Sequence, residues 1–254
     1  GQISMMKINQ IKIDELHDFS NELERIKKLN HPSLLKFIGF SPVNFKNQQK
    51  PVIITEFASN CSLEYILELE RNNQNITGWN ETKKLINIYG IASGMAYLHS
   101  HNIIHRSLKP SNIYLDDILA PKIGDFGIST RFSCLNSITH ESISGIKAVP
   151  IYSAPEVLQF NEYSKSSDVY SFSLIIYELV TGKIPFEEII SKNHIFDEVI
   201  LKKYRPEISE IVACCYHNLI KKCWSQEPSE RPMFDEIVDI LKNDHTFITS
   251  EVNK

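Results

Sequence analysis

Three short polar runs, in a fixed order, carry the residues that could do chemistry. His105-Arg106-Ser107-Leu108-Lys109-Pro110-Ser111-Asn112 comes first, Asp125-Phe126-Gly127 second and Ala154-Pro155-Glu156 third. Asp125 and Asn112 offer the hard oxygen ligands that a divalent cation takes. Arg106 carries a guanidinium fork suited to phosphate oxygens, and Lys109 is a second cation nearby. Each run alone is a weak signal, but the order and spacing of all of them are specific. His105 reads as a structural histidine supporting its loop rather than as a proton carrier. The nine histidines show no metal-binding spacing.

The elements around these runs alternate in character along the chain. Residues 3–8, ISMMKI, predict a short strand. Helical spacing at Phe19, Leu23, Ile26 and Leu29 follows and stops at His31-Pro32. The apolar runs Leu34–Val43 and Val52–Phe57 predict a strand pair joined across NFKNQQK. From about residue 62 the pattern turns helical, with Leu85, Ile88, Ile91, Ala92, Met95 and Leu98 on one face. Residues 101–127 are short apolar pieces broken by turns, as in a loop-rich site, and 128–147 are polar and rich in Ser and Thr. Residues 168–181, DVYSFSLIIYELVT, are apolar on nearly all sides and predict a helix buried in a core. Pro232 fits the first position, and Ser229 a nearby cap, of a helix bearing Phe234, Ile237, Val238 and Leu241. Trp79 and Trp224 read as packing residues. The fold class is α+β and bilobal: a small lobe of about three strands and a helix over 1–57, a connection near 56–62, a larger, mainly helical lobe over 58–245, and a frayed tail over 246–254.

Net charge is −4 with a pI of about 6.2, which gives no basic stripe for nucleic acid and no general attraction to membranes. No apolar run is long enough to span a bilayer, so no membrane insertion is expected. The five cysteines form no C-x-x-C pair, the pattern of reduced thiols in a cytoplasmic protein. Three N-x-S/T triplets are what an Asn-rich chain produces by chance. The chain opens at Gly1 rather than Met, which fits a fragment or a processed product.

Taken together, the three runs resemble the catalytic loop, metal-binding loop and activation-segment end of protein kinases. The resemblance covers essentially the whole chain. His31-Pro32 matches the turn after the regulatory helix, Thr55 the gatekeeper, and Glu56-Phe57-Ala58 the hinge. Asp168 matches the buried aspartate at the start of the central helix, and Arg231 the arginine that pairs with Glu156. The wording K-P-S-N is similar to serine/threonine-type kinases. TEFASNCSL and CWSQEPSERPMF are similar to the tyrosine-kinase-like group.

The resemblance implies a signalling domain with ATP and Mg²⁺ as cofactors and a protein substrate or partner. Asn112 and Asp125 would hold the metal, with Phe126 and Gly127 completing the second run, and Lys109 would lie near the transferred phosphate. Lys7 on ISMMKI would hold the inner phosphates and Glu22 would hold Lys7, with Glu24 the alternative on another side of the helix. Thr55, Glu56 and Ala58 would line the nucleotide pocket. Arg106 would meet a phosphorylated residue drawn from Ser129, Thr130, Ser133, Ser137, Thr139, Ser142 and Ser144, unless that stretch is simply a polar loop.

Three departures from the family pattern bear on activity. Ser107 occupies the position of the catalytic aspartate, and a neutral hydroxyl is a poor proton acceptor. Losing positioned acid–base help costs about 10²–10⁴ in rate. Ala148-Val149-Pro150 stands where the family has Gly-Thr-Pro, so the hydroxyl that would bond that aspartate is also missing. No G-x-G-x-x-G loop occurs in the chain, and a three-stranded sheet would leave an exposed edge. The expected function is a kinase-like domain that binds Mg²⁺-ATP with impaired transfer to protein Ser/Thr, a pseudokinase or interaction module. The alternative is an active but slow Ser/Thr kinase, since a loose transition state asks little of a base. A small-molecule phosphotransferase of related fold is disfavoured by the long Ser/Thr-rich segment and the Glu156–Arg231 pair.

Overall fold

The structure is a computed structural model describing residues 3–7, 23–43, 52–126, 151–190 and 197–248, with residues 3–7 and Ile190 described by backbone alone. The β-branched run Val52-Ile53-Ile54-Thr55 forms the middle of a small antiparallel sheet, as its propensity favours. Strands β1 (Ile3–Lys7), β2 (Phe37–Ser41) and β3 (Val52–Glu56) lie in the order β1-β3-β2, with Lys7 opposite Val52 and Phe37 opposite Thr55. An irregularity between Phe37 and Gly39 shifts the β2 register. Residues 23–26 are helical, and Ile26 and Leu29 turn into the core. Phe19, Ile8 and the whole loop NFKNQQK lie outside the described residues.

The second lobe is helical. Helix α1 (Leu63–Arg71) starts at Ser62, whose hydroxyl accepts the Tyr65 amide, and α2 (Glu81–Ser100) starts at Asn80, whose side chain accepts the Lys83 amide at 2.9 Å. The predicted α2 face is inside: Ile88, Ile91, Ala92, Met95 and Leu98 are fully buried and Leu85 is partly so. Gly94 lets α2 approach the segment before Asp125, because a Cβ there would stand 2.8 Å from Ile123 Cδ1. A hairpin of β4 (Ile113–Leu115) and β5 (Pro121–Ile123) crosses beside it, carrying Asn112 at its entrance and Asp125 at its exit.

Helices α3 (Pro155–Phe160), α4 (Lys165–Thr181), α5 (Glu187–Ile190), α6 (Cys214–Cys223) and α7 (Phe234–Asn243) complete the lobe. The apolar helix expected over 168–181 is α4. It begins three residues earlier, because Ser164 and Ser167 cap each other's backbone, and it ends at Gly182 with φ 70°. Helix α7 begins at Phe234 rather than at Pro232, and Ser229 lies in a separate 3-10 turn, Pro228–Glu230. The cause is Arg231: its side chain is drawn to Glu156 and its backbone is extended, so the helix restarts with Glu236 accepting the Met233 amide at 2.8 Å. The fraying expected from residue 246 does not reach Phe247, which is buried against the Tyr216 ring at 5.0 Å in a turn held by Asp244.

Candidate active site

Asp168, at the start of α4, organises the loop that carries Ser107. Its carboxylate accepts the backbone amides of His105 (2.8 Å) and Arg106 (2.9 Å) and meets His99 Nε2 at 2.8 Å. Arg106 takes φ 68° to satisfy this arrangement, and its guanidinium lies 5.9 Å from the centre of the Tyr163 ring. His105 is wholly buried, and burial holds its pKa below the ordinary value. Its Nδ1 accepts the Ser107 amide at 3.3 Å, and its ring stands edge-on to Phe126 at 6.4 Å.

Asn112 and Asp125 are brought together by the hairpin. The Gly124 amide donates to the Asn112 carbonyl at 2.9 Å, which fixes the two segments side by side. Asn112 Nδ2 donates to the Ser107 carbonyl at 2.7 Å and reaches the Ser107 hydroxyl at 3.2 Å. That assigns the amide nitrogen and leaves the side-chain carbonyl as the donor available to a cation. Asp125 has φ 56°, and burial raises its carboxyl pKa while the Lys109 ammonium opposes the rise. A desolvated carboxylate beside a carboxamide oxygen fits a hard divalent ion. Among the described residues there is no cluster of three or more His, Cys, Asp and Glu able to hold a metal.

Two cavities open between the sheet and the hairpin. The inner one, about 30 Å³, is lined by Ile26, Leu35, Phe37, Ile53, Thr55 and the Gly124–Phe126 segment. The outer one, about 200 Å³, runs along Glu56, Phe57, Ala58 and Ser59, with Leu35, Cys61 and Tyr114 as its other walls. Glu56 is tied down on both sides, accepting the Lys36 amide at 3.2 Å and pairing with Lys122 at 3.3 Å. Further along the chain, Arg231 grips Glu156 with both forks of its guanidinium, at 2.6 and 2.9 Å. Tyr152 and Arg71 both bond the buried Glu178. Burial pushes the Glu178 carboxyl up, and both bonds pull it down.

The structure therefore places Ser107 beside Asn112 and Lys109 near Asp125, brings Thr55 and Asp125 to the walls of the inner cavity, and puts Glu56 and Ala58 along the outer one. Lys7 is located by its backbone only, on β1 opposite Val52. Glu22, Gly127, Val149 and the Ser/Thr-rich segment lie outside the described residues. Glu24, the alternative to Glu22, is exposed beside Lys27 at 3.8 Å. Sequence reasoning passed over Leu35, Cys61, Tyr114 and the Tyr152–Glu178–Arg71 cluster. For Tyr114 a signal existed: a polar-tipped ring two residues after Asn112, and a glycine just before Asp125.

A two-lobed fold with an amide–carboxylate pair at the base of its cleft is the architecture of a protein kinase domain. Residues 3–241 match the family model described as protein tyrosine and serine/threonine kinase, and the chain belongs to that family. It is 35% identical over 229 residues to the RGS domain-containing serine/threonine-protein kinase A of Dictyostelium discoideum, covering 90% of this chain and 19% of that protein. The dual specificity protein kinase shkC of the same organism is 31% identical over 240 residues, 94% of this chain and 45% of that protein. The serine/threonine-protein kinase STY17 of Arabidopsis thaliana is 29% identical over 240 residues, 94% of this chain and 39% of that protein. The chain thus spans less than half the length of these curated relatives.

Proposed function

We propose that this domain binds Mg²⁺-ATP in the cleft and that its transfer of phosphate to protein serine or threonine hydroxyls is impaired. The observation that carries this is Ser107: its hydroxyl lies 3.2 Å from Asn112 Nδ2, so a short neutral group occupies the place of the family's carboxylate. Mg²⁺, when bound, supplies neutralisation of phosphate charge. Asn112 and Asp125 would hold it, and Lys109 would stand by the phosphate to be moved. Lys7, on β1, is proposed to reach the inner phosphates, with Glu22 as its partner. Ser107 can accept a hydrogen bond from an incoming alcohol, but it cannot take its proton at neutral pH. The loss of a positioned base costs about 10²–10⁴ in rate. The lobe boundary is proposed at 57/58, and the loss of Thr at Val149 is proposed to compound the deficit. Membership in the tyrosine-kinase-like group and a cytoplasmic, signalling setting belong to the same reading.

Thermal melting of the full-length protein tests binding: Mg²⁺-ATP should raise the midpoint, and ATP with a chelator should raise it less. No shift with Mg²⁺-ATP would refute the binding. Ser107→Asp tests the deficit, with phosphate transfer to a generic protein substrate expected to rise by about two orders of magnitude. A second reading, a slow but active Ser/Thr kinase, is favoured by the intact Asn112–Asp125 pairing. Under it the unmodified protein transfers phosphate measurably, and Ser107→Ala abolishes little of that transfer.

A further inference from the structure

His31 lies where the chain leaves the helical residues 23–26 for β2, and both nitrogens of its ring are engaged. Nδ1 accepts the Ser33 amide at 3.1 Å, and Nε2 meets the Ser93 hydroxyl on α2 at 3.2 Å. A backbone amide can only donate, so Nδ1 is bare and the ring's one proton sits on Nε2, donating to Ser93. The ring is therefore neutral by geometry. A second proton would have to enter at Nδ1 and set one N–H against another.

The surroundings resist that proton as well. The Lys122 charge on β5 bears on the ring, and Lys122 is itself paired with Glu56 at 3.3 Å. The Tyr97 ring stacks on His31 at 5.2 Å, exposed His101 lies against the same tyrosine at 4.3 Å, and Arg25 bonds the His101 carbonyl at 3.1 Å. Burial, with Lys122 adding to it, holds the His31 pKa below the ordinary 6.5. What the Ser33 amide fastens reaches beyond its own turn. The buried Ser33 accepts the Ile123 amide at 2.7 Å through its carbonyl. Leu35, whose amide donates to the Ile123 carbonyl at 2.9 Å, forms part of the wall of both cavities.

We propose that His31 is an acid-operated latch: uptake of a proton at Nδ1 expels the Ser33 amide and unfastens residues 33–35 from β5, the strand that leads into Asp125. Opening binds one proton, so its equilibrium constant rises as pH falls through the ordinary histidine range, by about tenfold between pH 7.5 and 5.5. The latch needs no nucleotide and stands apart from the Mg²⁺-ATP reading.

Amide exchange of the full-length protein, read by mass spectrometry across that range and corrected for the intrinsic pH dependence of exchange, tests it. Protection at Leu35 and Ile123 should fall about tenfold beyond any fall at α4, whose amides report opening of the whole lobe. His31→Asn keeps an acceptor for the Ser33 amide, in an Asx turn, but does not titrate. It should match the parent at pH 7.5 and hold that protection at pH 5.5. His31→Phe offers no acceptor and should be equally open at both. His101→Gln should behave as the parent, because the His101 contact with the Tyr97 carbonyl at 2.9 Å survives protonation. Thermal melting confirms that each variant is folded. A parent in which Leu35 and Ile123 lose no more protection than α4 would overturn the latch, as would a His31→Asn variant that loses as much as the parent. If His101→Gln abolishes the fall, the titrating group is His101 and the assignment to His31 fails.

Discussion

Arg231 is completely enclosed, and among the described residues its charge is met by one carboxylate, Glu156, itself only 12% exposed. A buried ion pair contributes little net stability, but removing one partner strands the other charge. Glu156→Gln should therefore cost about 3–5 kcal/mol, read from urea midpoints at constant slope. A loss under about 1 kcal/mol would mean that water reaches the guanidinium. His105 gives a pH-dependent counterpart. Asp168, His99, the Ser107 amide and the Phe126 ring surround it, and burial lowers its pKa from the ordinary 6.5. A histidine depressed in the fold is neutral there, while the unfolded chain takes up a proton below pH 6.5. Stability from this group is therefore full above that value and is lost as pH falls through it, with a slope approaching about 1.4 kcal/mol per pH unit. His105→Phe should flatten the decline between pH 6.5 and 5 compared with the parent. An unchanged slope would assign the decline to other groups.

At the scale of elements, the site depends on how close α2 comes to β5. A Cβ on Gly94 would stand 2.8 Å from Ile123 Cδ1 and 3.2 Å from Ser33 Cβ, and Ile123 leads through Gly124 into Asp125. Gly94→Val crowds Ile123 and Ser33 against α2, so it should destabilise the domain by about 1–3 kcal/mol and, if β5 gives way, weaken Mg²⁺-ATP binding as well. Unchanged nucleotide binding in a destabilised but folded variant would show that Asp125 is positioned by its other contacts. How much of this was legible follows from what each feature depends on. The buried face of α2 and the all-round burial of α4 were readable because periodicity alone determines them. The start of α7 was misread because Pro232 is a good first helical residue locally, while Arg231 answers to a partner 75 positions away. The polar runs at 105–112 and 125–127 made the family readable, since their order is itself the signal. The packing of Tyr114 and Leu35 against Gly124 was not, because only the folded hairpin brings these residues together.

Across the whole molecule, the stretch between the helical residues 23–26 and β2 belongs mechanically to the helical lobe, although in sequence it lies among the strands. The Leu35 amide donates to the Ile123 carbonyl at 2.9 Å, and the Ile123 amide to the Ser33 carbonyl at 2.7 Å. The Tyr97 hydroxyl accepts the Asn30 amide at 3.1 Å, Arg25 reaches the His101 carbonyl at 3.1 Å, and His31 meets Ser93 at 3.2 Å while stacking on Tyr97. Such a set of ties makes the stretch open with α2 rather than with the small sheet, because local opening follows contact density. Amide exchange by mass spectrometry should therefore show Leu35 and Ile123 protected at the level of α2, and the pairs between β1 and β3 opening at lower free energy. Tyr97→Ala removes one hydroxyl bond and the ring contacts with His31 and His101, and should bring Leu35 exchange toward that of β1 while leaving α4 unchanged. Were Leu35 to exchange with β1 in the parent protein, the cleft would be bounded by two independently opening bodies. Asp125 and Thr55, on its two sides, would then be aligned only when both were closed.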